Sequence, residues 1–317
     1  VVRMFCSISY PDGRPFICDT RSLLKKAISD AESAGISFAF GPEMEFYLFQ
    51  LDAEGQPTKT PYDNAGYMDI APEDKCENVR REICLLLEQM GIYPESSHHE
   101  EGPGQNEIDF RYSDPLTAAD NTLTFQAVVK TVAERNGLYA DFSPKPLRHQ
   151  PGNGFHINIS VKGGNCEDPL SHMIAGILAH ISELTVFLNP TVASYERFGG
   201  PKAPEYISWS NQNRSQLIRV PAAVDAYRRA ELRSPDPTTN PYLAFALLIY
   251  AGLDGIQQKL PLPAPTDLNL FTASADIFAG LQRLPLTLRE AATLAANNSF
   301  VSQYLPKTIV QTYYNQR

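Results

Sequence analysis

The stretch from Ser37 to Gln50 constrains the fold more than any other. Phe38, Phe40, Met44, Phe46 and Leu48 fall on one parity, the pattern of a strand with one face in a core. The opposite parity carries Glu43 and Glu45 within Gly41-Pro-Glu-Met-Glu-Phe-Tyr-Leu-Phe49. Two carboxylates two residues apart project from the same side of a strand. In apolar surroundings they repel one another and resist ionisation. A divalent cation removes that penalty, so the segment predicts a metal site built on a sheet.

Other segments extend the pattern. Asn106–Tyr112 reads as a strand with Glu107 and Asp109 on one face. It follows His98-His-Glu100-Glu and a Gly102-Pro-Gly104 turn that folds the backbone back and lets Glu100 meet Glu107. Gly152–Val161 alternates His156, Asn158 and Ser160 with Phe155, Ile157 and Ile159. Glu231 and Arg233 share a face just before a helix opened by Asn240-Pro241. Oxygen donors with one imidazole suit Mg²⁺ or Mn²⁺. Arg197, Arg214 and Arg219 lie in apolar surroundings, where planar guanidinium forks grip anions. Carboxylates, a metal and arginines together point to a polyphosphate ligand.

Helical spacing predicts helices over Thr20–Gly35, Asn78–Gly91, Ala118–Gly137, His172–Leu188, Asn240–Gly255 and Arg289–Tyr304. Residues 3–9 read as a further strand. Without regular βαβ alternation, the order predicts an α+β fold with a mainly antiparallel sheet. At 317 residues the chain is long enough for a large core, and length alone allows two domains.

The composition narrows the partners. Lys and Arg number 27 against 36 Asp and Glu, a net charge of −9. That argues against nucleic acid and against a polybasic membrane anchor. No uninterrupted run of about 18 apolar residues predicts a transmembrane helix, and the N-terminus does not read as a signal peptide. Five cysteines without a CxxC spacing fit a reducing, cytoplasmic setting. Neither a Walker A loop nor a GxGxxG is present, so any nucleotide phosphates must be held otherwise.

These segments, in this order, resemble the glutamine synthetase family of the bacterial type I kind. The matching pieces are the Gly41–Phe49 stretch, Gly66-Tyr67, His98-His-Glu with Gly-Gln-Asn-Glu107, and Pro144-Lys-Pro146. Asn189-Pro190, Ser194-Tyr-Glu-Arg197, Trp209-Ser, Asn213-Arg-Ser, Glu231-Leu-Arg, Pro235-Asp-Pro and Asn240-Pro-Tyr-Leu continue it. The resemblance implies one catalytic domain over 1–317. Its fold is an open, curved antiparallel sheet, half of a barrel, with helices outside. The family's small N-terminal β-grasp domain and extreme C-terminus have no counterpart in this chain, and full-length members assemble into homo-oligomeric rings. Glu45, Glu100 and Glu107 are then expected to hold one metal, and Glu43, His156 and Glu231 a second. Arg197 and Arg233 are expected on the glutamate carboxylate and the transferring phosphoryl group, and Arg214 and Arg219 on ATP phosphates. Asn158, Ser160 and Arg229 fall on the nucleotide side. The implied reaction joins the γ-carboxylate of glutamate to ammonia through a γ-glutamyl phosphate, with ATP and two or more divalent cations.

The sequence departs from the family in three places. In the flap, Arg197 to Pro204, Lys202 stands where the family has a glutamate that takes a proton from ammonium. Pro151 replaces an asparagine that helps hold the substrate amino group. Asn158 occupies a position that is histidine in many members. The flap keeps two alternatives open, a γ-glutamyl-amine ligase using another amine and a non-catalytic binding or structural homologue. A guanidino-kinase-like phosphotransferase of the same architecture fits the motifs less well.

Overall fold

The computed structural model describes residues 3–315 apart from 165, 201, 224–226 and 279. The N-terminal segment is not a strand. Among the described residues, 3–9 have no neighbouring strand, and an isolated bridge joins Ser9 to Pro15. The chain then forms α1 (Thr20–Ser33), which starts where the Asp19 side chain accepts from the Arg21 amide at 3.2 Å. After it comes β1 (Ile36–Leu51), a 16-residue strand and the spine of the molecule.

Next are β2 (Pro57–Pro61), α2 (Glu77–Gln89), β3 (Pro94–His99), β4 (Gln105–Phe110), α3 (Pro115–Arg135), β5 (Leu138–Asp141) and β6 (Phe155–Gly163). The second half runs α4 (Pro169–Leu188), α5 (Val192–Tyr195), β7 (Trp209–Asn211), β8 (Ile218–Val220), β9 (Ala230–Leu232) and α6 (Pro241–Gln258). It ends with α7 (Ala275–Phe278), α8 (Leu288–Asn297), α9 (Ser299–Tyr304) and α10 (Lys307–Asn315). The long helices α3, α4 and α6 each follow an Asp or Asn cap with proline in the first turn, where its missing N–H costs no hydrogen bond. The single helix expected over Arg289–Tyr304 is two, because Asn298 leaves helical geometry and caps α9.

Among the described residues the sheet has the order β3-β4-β1-β6-β9-β8-β7, with β2 and β5 also pairing with β1. All pairings are antiparallel except β7 with β8. The sheet is open and the fold is α+β, as expected. The core face of β1 carries Phe38, Phe40, Met44, Phe46 and Leu48, all buried. Phe40 stacks on Phe245 of α6 at 4.3 Å.

By length and composition α4 could cross a membrane, but its apolar residues are buried within the protein, largely against α6. The two helices cross backbone to backbone. A Cβ on Gly176 would lie 2.1 Å from the Ala251 carbonyl oxygen, and one on Gly255 would lie 2.1 Å from that of His172. This crossing holds the helical layer close beneath the sheet, leaving the polar face of β1 to the other side.

Candidate active site

The pairing register of six strands lays functional side chains in rows across the polar face. In one row His98 of β3 is opposite Glu107 of β4, which is opposite Glu45 of β1. In the next, Asp109 of β4 is opposite Glu43 of β1, which is opposite His156 of β6. In a third, Asn158 of β6 is opposite Glu231 of β9, which is opposite Arg219 of β8. Residues directly opposite in an antiparallel pair share a face and lie about 5 Å apart. Three rows of an ordinary ladder therefore gather Glu43, Glu45, Glu107 and Glu231 on one face.

The β3–β4 hairpin brings Glu100 to Glu107. Its turn needs Gly104 at φ +68°, with no room for a Cβ, which would meet the Leu48 carbonyl oxygen at 2.8 Å. The turn is tied down from below. Asp63 accepts from the Gly104 amide at 2.9 Å and pairs with His99 Nε2 at 2.9 Å, while His99 Nδ1 lies 2.7 Å from the Glu100 carbonyl. Asp63, Asp74, Cys76 and His99 form a buried donor group of their own. Their bonds are internal, however. Asp74 pairs with Arg80 at 2.6 Å, and burial beside Asp63 pushes the Cys76 thiol far up, so it is no thiolate near neutral pH. This cluster is a buried brace for the hairpin.

In two further groups the donor atoms lie within 4.8 Å of one another: Glu43 with Glu107 and His156, and His98 with Glu100 and Glu107. Glu107 belongs to both. The expected division differs in detail. His98 sits on β3 with Nε2 3.1 Å from Glu107. Glu45 lies beside this group, its Oε2 accepting from the Gly154 amide at 2.7 Å and from Gln105 at 3.2 Å. Glu231 is held by Arg219 and Arg233 and lies 3.8 Å from His156 Nδ1.

The electrostatics are those of a site built for cations. Burial, with the charges of Glu100 and Glu107, pushes the Glu45 carboxyl far above its ordinary range. Burial and Glu107 raise Glu43, Glu100 and Asp109 in the same sense. Glu107 is lowered to about 2, because the hydrogen bond from His98 and the nearby cationic groups outweigh its burial. His156 is lowered to about 3 by burial and by Arg233, leaving a neutral imidazole able to donate a lone pair. Glu45 Oε1, Asp109 Oδ1 and His156 Nε2 are buried and make no hydrogen bond among the described residues. Buried polar atoms are normally paired. Orphaned carboxylate oxygens, with His156 Nδ1 3.4 Å from Glu43 and 3.8 Å from Glu231, fit a hard divalent cation.

The arginines divide. Arg214 (Nη1 3.3 Å from the Tyr67 hydroxyl), Arg219 and Arg233 line the cavity over the carboxylates. Arg197 does not. It is buried against the Ser234 and Pro235 carbonyls at 3.1 and 3.3 Å, with Asp236 3.9 Å away. Asn158, Ser160 and Arg229 line an adjoining cavity that shares Glu43 and Asp109, and Arg229 Nε donates to Asn158 Oδ1 at 2.9 Å. Two participants were not singled out from sequence as site residues. For His98 the signal was available, since a hairpin closing at Gly102–Gly104 places it opposite Glu107. Asp109 was read as sharing the Glu107 face but given no role. The flap runs from α5 toward β7. Its Lys202 ammonium contacts Glu100 and lies 3.7 Å from Glu101 and 4.2 Å from the centre of the Tyr67 ring. Pro201 of the flap lies outside the described residues.

Comparison with known proteins agrees with this geometry. The sequence profile described as "Glutamine synthetase, catalytic domain" matches residues 17–317. A glutamine synthetase of Clostridium saccharobutylicum is 45% identical over a 328-residue alignment covering 99% of this chain and 74% of the relative. One from Methanosarcina mazei is 46% identical over 99% and 73%. Among solved structures, a GmaS/ADP complex superposes with a TM-score of 0.85 at 30% identity, covering 96% of this chain and 74% of that one. Plasmodium falciparum glutamine synthetase shares the fold, with a TM-score of 0.83 at 24% identity over 98% and 77%. The chain belongs to the glutamine synthetase family and carries the catalytic domain of this ligase type.

Proposed function

We propose that the protein uses ATP to activate the γ-carboxylate of glutamate and passes the resulting acyl group to ammonia. The observation that carries this reading is the set of register-aligned rows, which crowds carboxylates under arginines on one sheet face. In this reading Glu43, Glu107 and His156, with Glu231 beside them, hold one Mg²⁺ or Mn²⁺. Glu100, Glu107 and His98, with Glu45 beside them, hold another. Bound there, such ions would neutralise the carboxylates and draw charge from phosphoryl oxygens.

The chain's own residues do the rest. Asn158, Ser160 and Arg229 take the nucleotide side, and a relative of this fold solved with ADP supports nucleotide use there. Arg214 and Arg219 face the polyphosphate. In this reading Arg233, beside Glu231, meets oxygens of the transferring phosphoryl group. The γ-carboxylate oxygen attacks the terminal phosphorus, the bond to ADP breaks, and an acyl phosphate forms. The amine then adds at the acyl carbon, inorganic phosphate leaves, and the amine gives up a proton. Water must be kept out at this stage, which is the task of the flap. Arg197 holds the floor beneath the glutamate, its side chain packed against Gly152. We also place the chain in a homo-oligomeric ring, as the family resemblance implies.

One observation favours a second acceptor. Lys202, where the family has a glutamate, puts a positive charge beside the carboxylates of Glu100 and Glu101. Like charges repel, so a neutral or acid-bearing amine suits the site better than ammonium. Metal-dependent phosphate release from ATP with glutamate, comparing ammonium with a panel of primary amines and amino acids, decides. Stimulation by ammonium supports the first reading, and stimulation by another amine alone supports the second. Metal and ATP binding without turnover would overturn both in favour of a non-catalytic homologue.

A further inference from the structure

The two ends of the carboxylate cavity are neutralised in different ways. At the Glu231 end the counter-charges are Arg219, on β8, and Arg233, at the edge of β9. Both are anchored on paired strands, Arg219 within β8 and Arg233 at the end of β9. At the Glu100 end the counter-charge is Lys202. It sits on a loop whose own bonds are short-range: the Gly199 amide donates to the Ala203 carbonyl at 2.9 Å, and the Ala203 amide to Gly200 at 3.2 Å. Lys202 has φ +60°, a conformation in which its Cβ crowds the backbone. A non-glycine residue keeps such a backbone only where its surroundings hold it.

What holds Lys202 is visible. Its ammonium touches Glu100 Oε2, lies 3.7 Å from Glu101 and rests over the Tyr67 ring, and its side chain is 16% exposed. Glu100 Oε2 also accepts from the Glu101 amide at 3.0 Å. The Glu100 carboxylate, whose Oε1 lies 4.0 Å from His98 Nδ1, is therefore already paired through Oε2 with a tethered monovalent cation. Tyr67 extends the same arrangement, with its hydroxyl on Arg214 and its ring edge-on to His98 at 5.7 Å.

We infer that Lys202 is a tethered counter-cation which competes with the divalent ion for Glu100, so that metal binding at this end moves the ammonium off Glu100 toward Glu101 and shifts the flap with it. The inference rests on the metal assignment proposed above. Lys202 lines the same cavity as His98, Glu100 and Glu107, so the ammonium and the ion would face one carboxylate and repel each other. Binding of the ion is then coupled to flap position. In the ion-free protein the flap is latched down. A competent state populated in about one molecule in ten weakens the apparent affinity about tenfold.

The test is Mn²⁺ binding, followed by the electron paramagnetic resonance signal of the free ion, on the full chain and on K202Q and E107Q. The expected result is that K202Q binds Mn²⁺ about tenfold more tightly at the weaker of its sites, while E107Q loses binding. Acetic anhydride labelling of Lys202, read by mass spectrometry, should rise when Mn²⁺ is added to the unsubstituted protein. Equal affinities in K202Q and the unsubstituted protein, or Lys202 labelling indifferent to Mn²⁺, would overturn the inference and leave the metal assignment standing. Failure of both proteins to bind Mn²⁺ would overturn the assignment and the inference together. A circular dichroism melt of K202Q confirms that the comparison is between folded proteins.

Discussion

Glu107 is the residue on which the proposed site can be tested most sharply. It belongs to both candidate donor groups, and its charge raises Glu43, Glu45, Glu100 and Asp109. Glu107→Gln keeps the side chain's size and an oxygen for His98, and removes only the charge. Two opposite effects follow. Without divalent ions, relief of repulsion among four buried carboxyls leaves the protein as stable as before, or more so. With them, the gain from binding is lost at both sites. At an ion concentration 100 times Kd, one site stabilises the folded state by about 2.7 kcal/mol. Unfolding entropy of about 2.1 cal/mol/K per residue over 317 residues gives about 0.67 kcal/mol per degree. Each site is therefore worth a Tm rise of about 4 °C, and two sites about 8 °C. Thermal melts with and without Mn²⁺ read this directly. A Glu107→Gln protein that shows the full Mn²⁺-induced rise would refute the assignment of Glu107 to either site.

Other outcomes follow from the fold. Gly176→Ala gains helix propensity but places a methyl against the Ala251 carbonyl and the Gly255 backbone, so it should lower stability by about 3 kcal/mol. An unchanged urea midpoint would contradict the close crossing of α4 and α6. The Asp63–His99 pair predicts a stability plateau in pH. Burial opposes both charges, yet their hydrogen bond holds His99 above its ordinary value and Asp63 below its own. The His99 contribution is complete below the unfolded imidazole value of about 6.5 and is lost as pH rises through the raised folded value. That of Asp63 is complete above about 3.9 and is lost as pH falls through the lowered one. His99→Gln should flatten both limbs in denaturation curves taken from acid to mild alkali, and a profile with both limbs intact would show that the pair does not set them.

Much of this was legible because the residues that build the site also build the sheet. The alternation of Ser37–Gln50 and of Gly152–Val161 marked β1 and β6 to within a few residues, and the rows then followed from which residues share a parity. What escaped had physical reasons. Residues of β3, Pro-Glu-Ser-Ser-His-His, have no apolar face, since one side of this edge strand looks into the polar cavity. β7, β8 and β9 are three residues each, too short for a period to show. Residues 3–9 read as a strand, but the segment's ladder stops at a bridge from Ser9 to Pro15, with the Ile8 carbonyl accepting from Phe16 at 3.0 Å. The arginines were found as types in a context. That Arg197 would turn onto the Ser234 and Pro235 carbonyls depends on long-range packing that no local pattern reports.

The continuity of β1 has a consequence for how this enzyme can change. Glu43 and Glu45 are one pleat period apart on an unbroken strand, and their partners Asp109, Glu107 and His156 are fixed to them by register. The separation between the two candidate ion positions is thus a property of the backbone, a ruler with a step of about 6.7 Å. Side-chain exchange cannot stretch that ruler. Inserting or deleting one residue would turn a whole row into the core. The flap around Lys202 is not measured against the pleat, so substitutions there leave the spacing of the carboxylates unchanged.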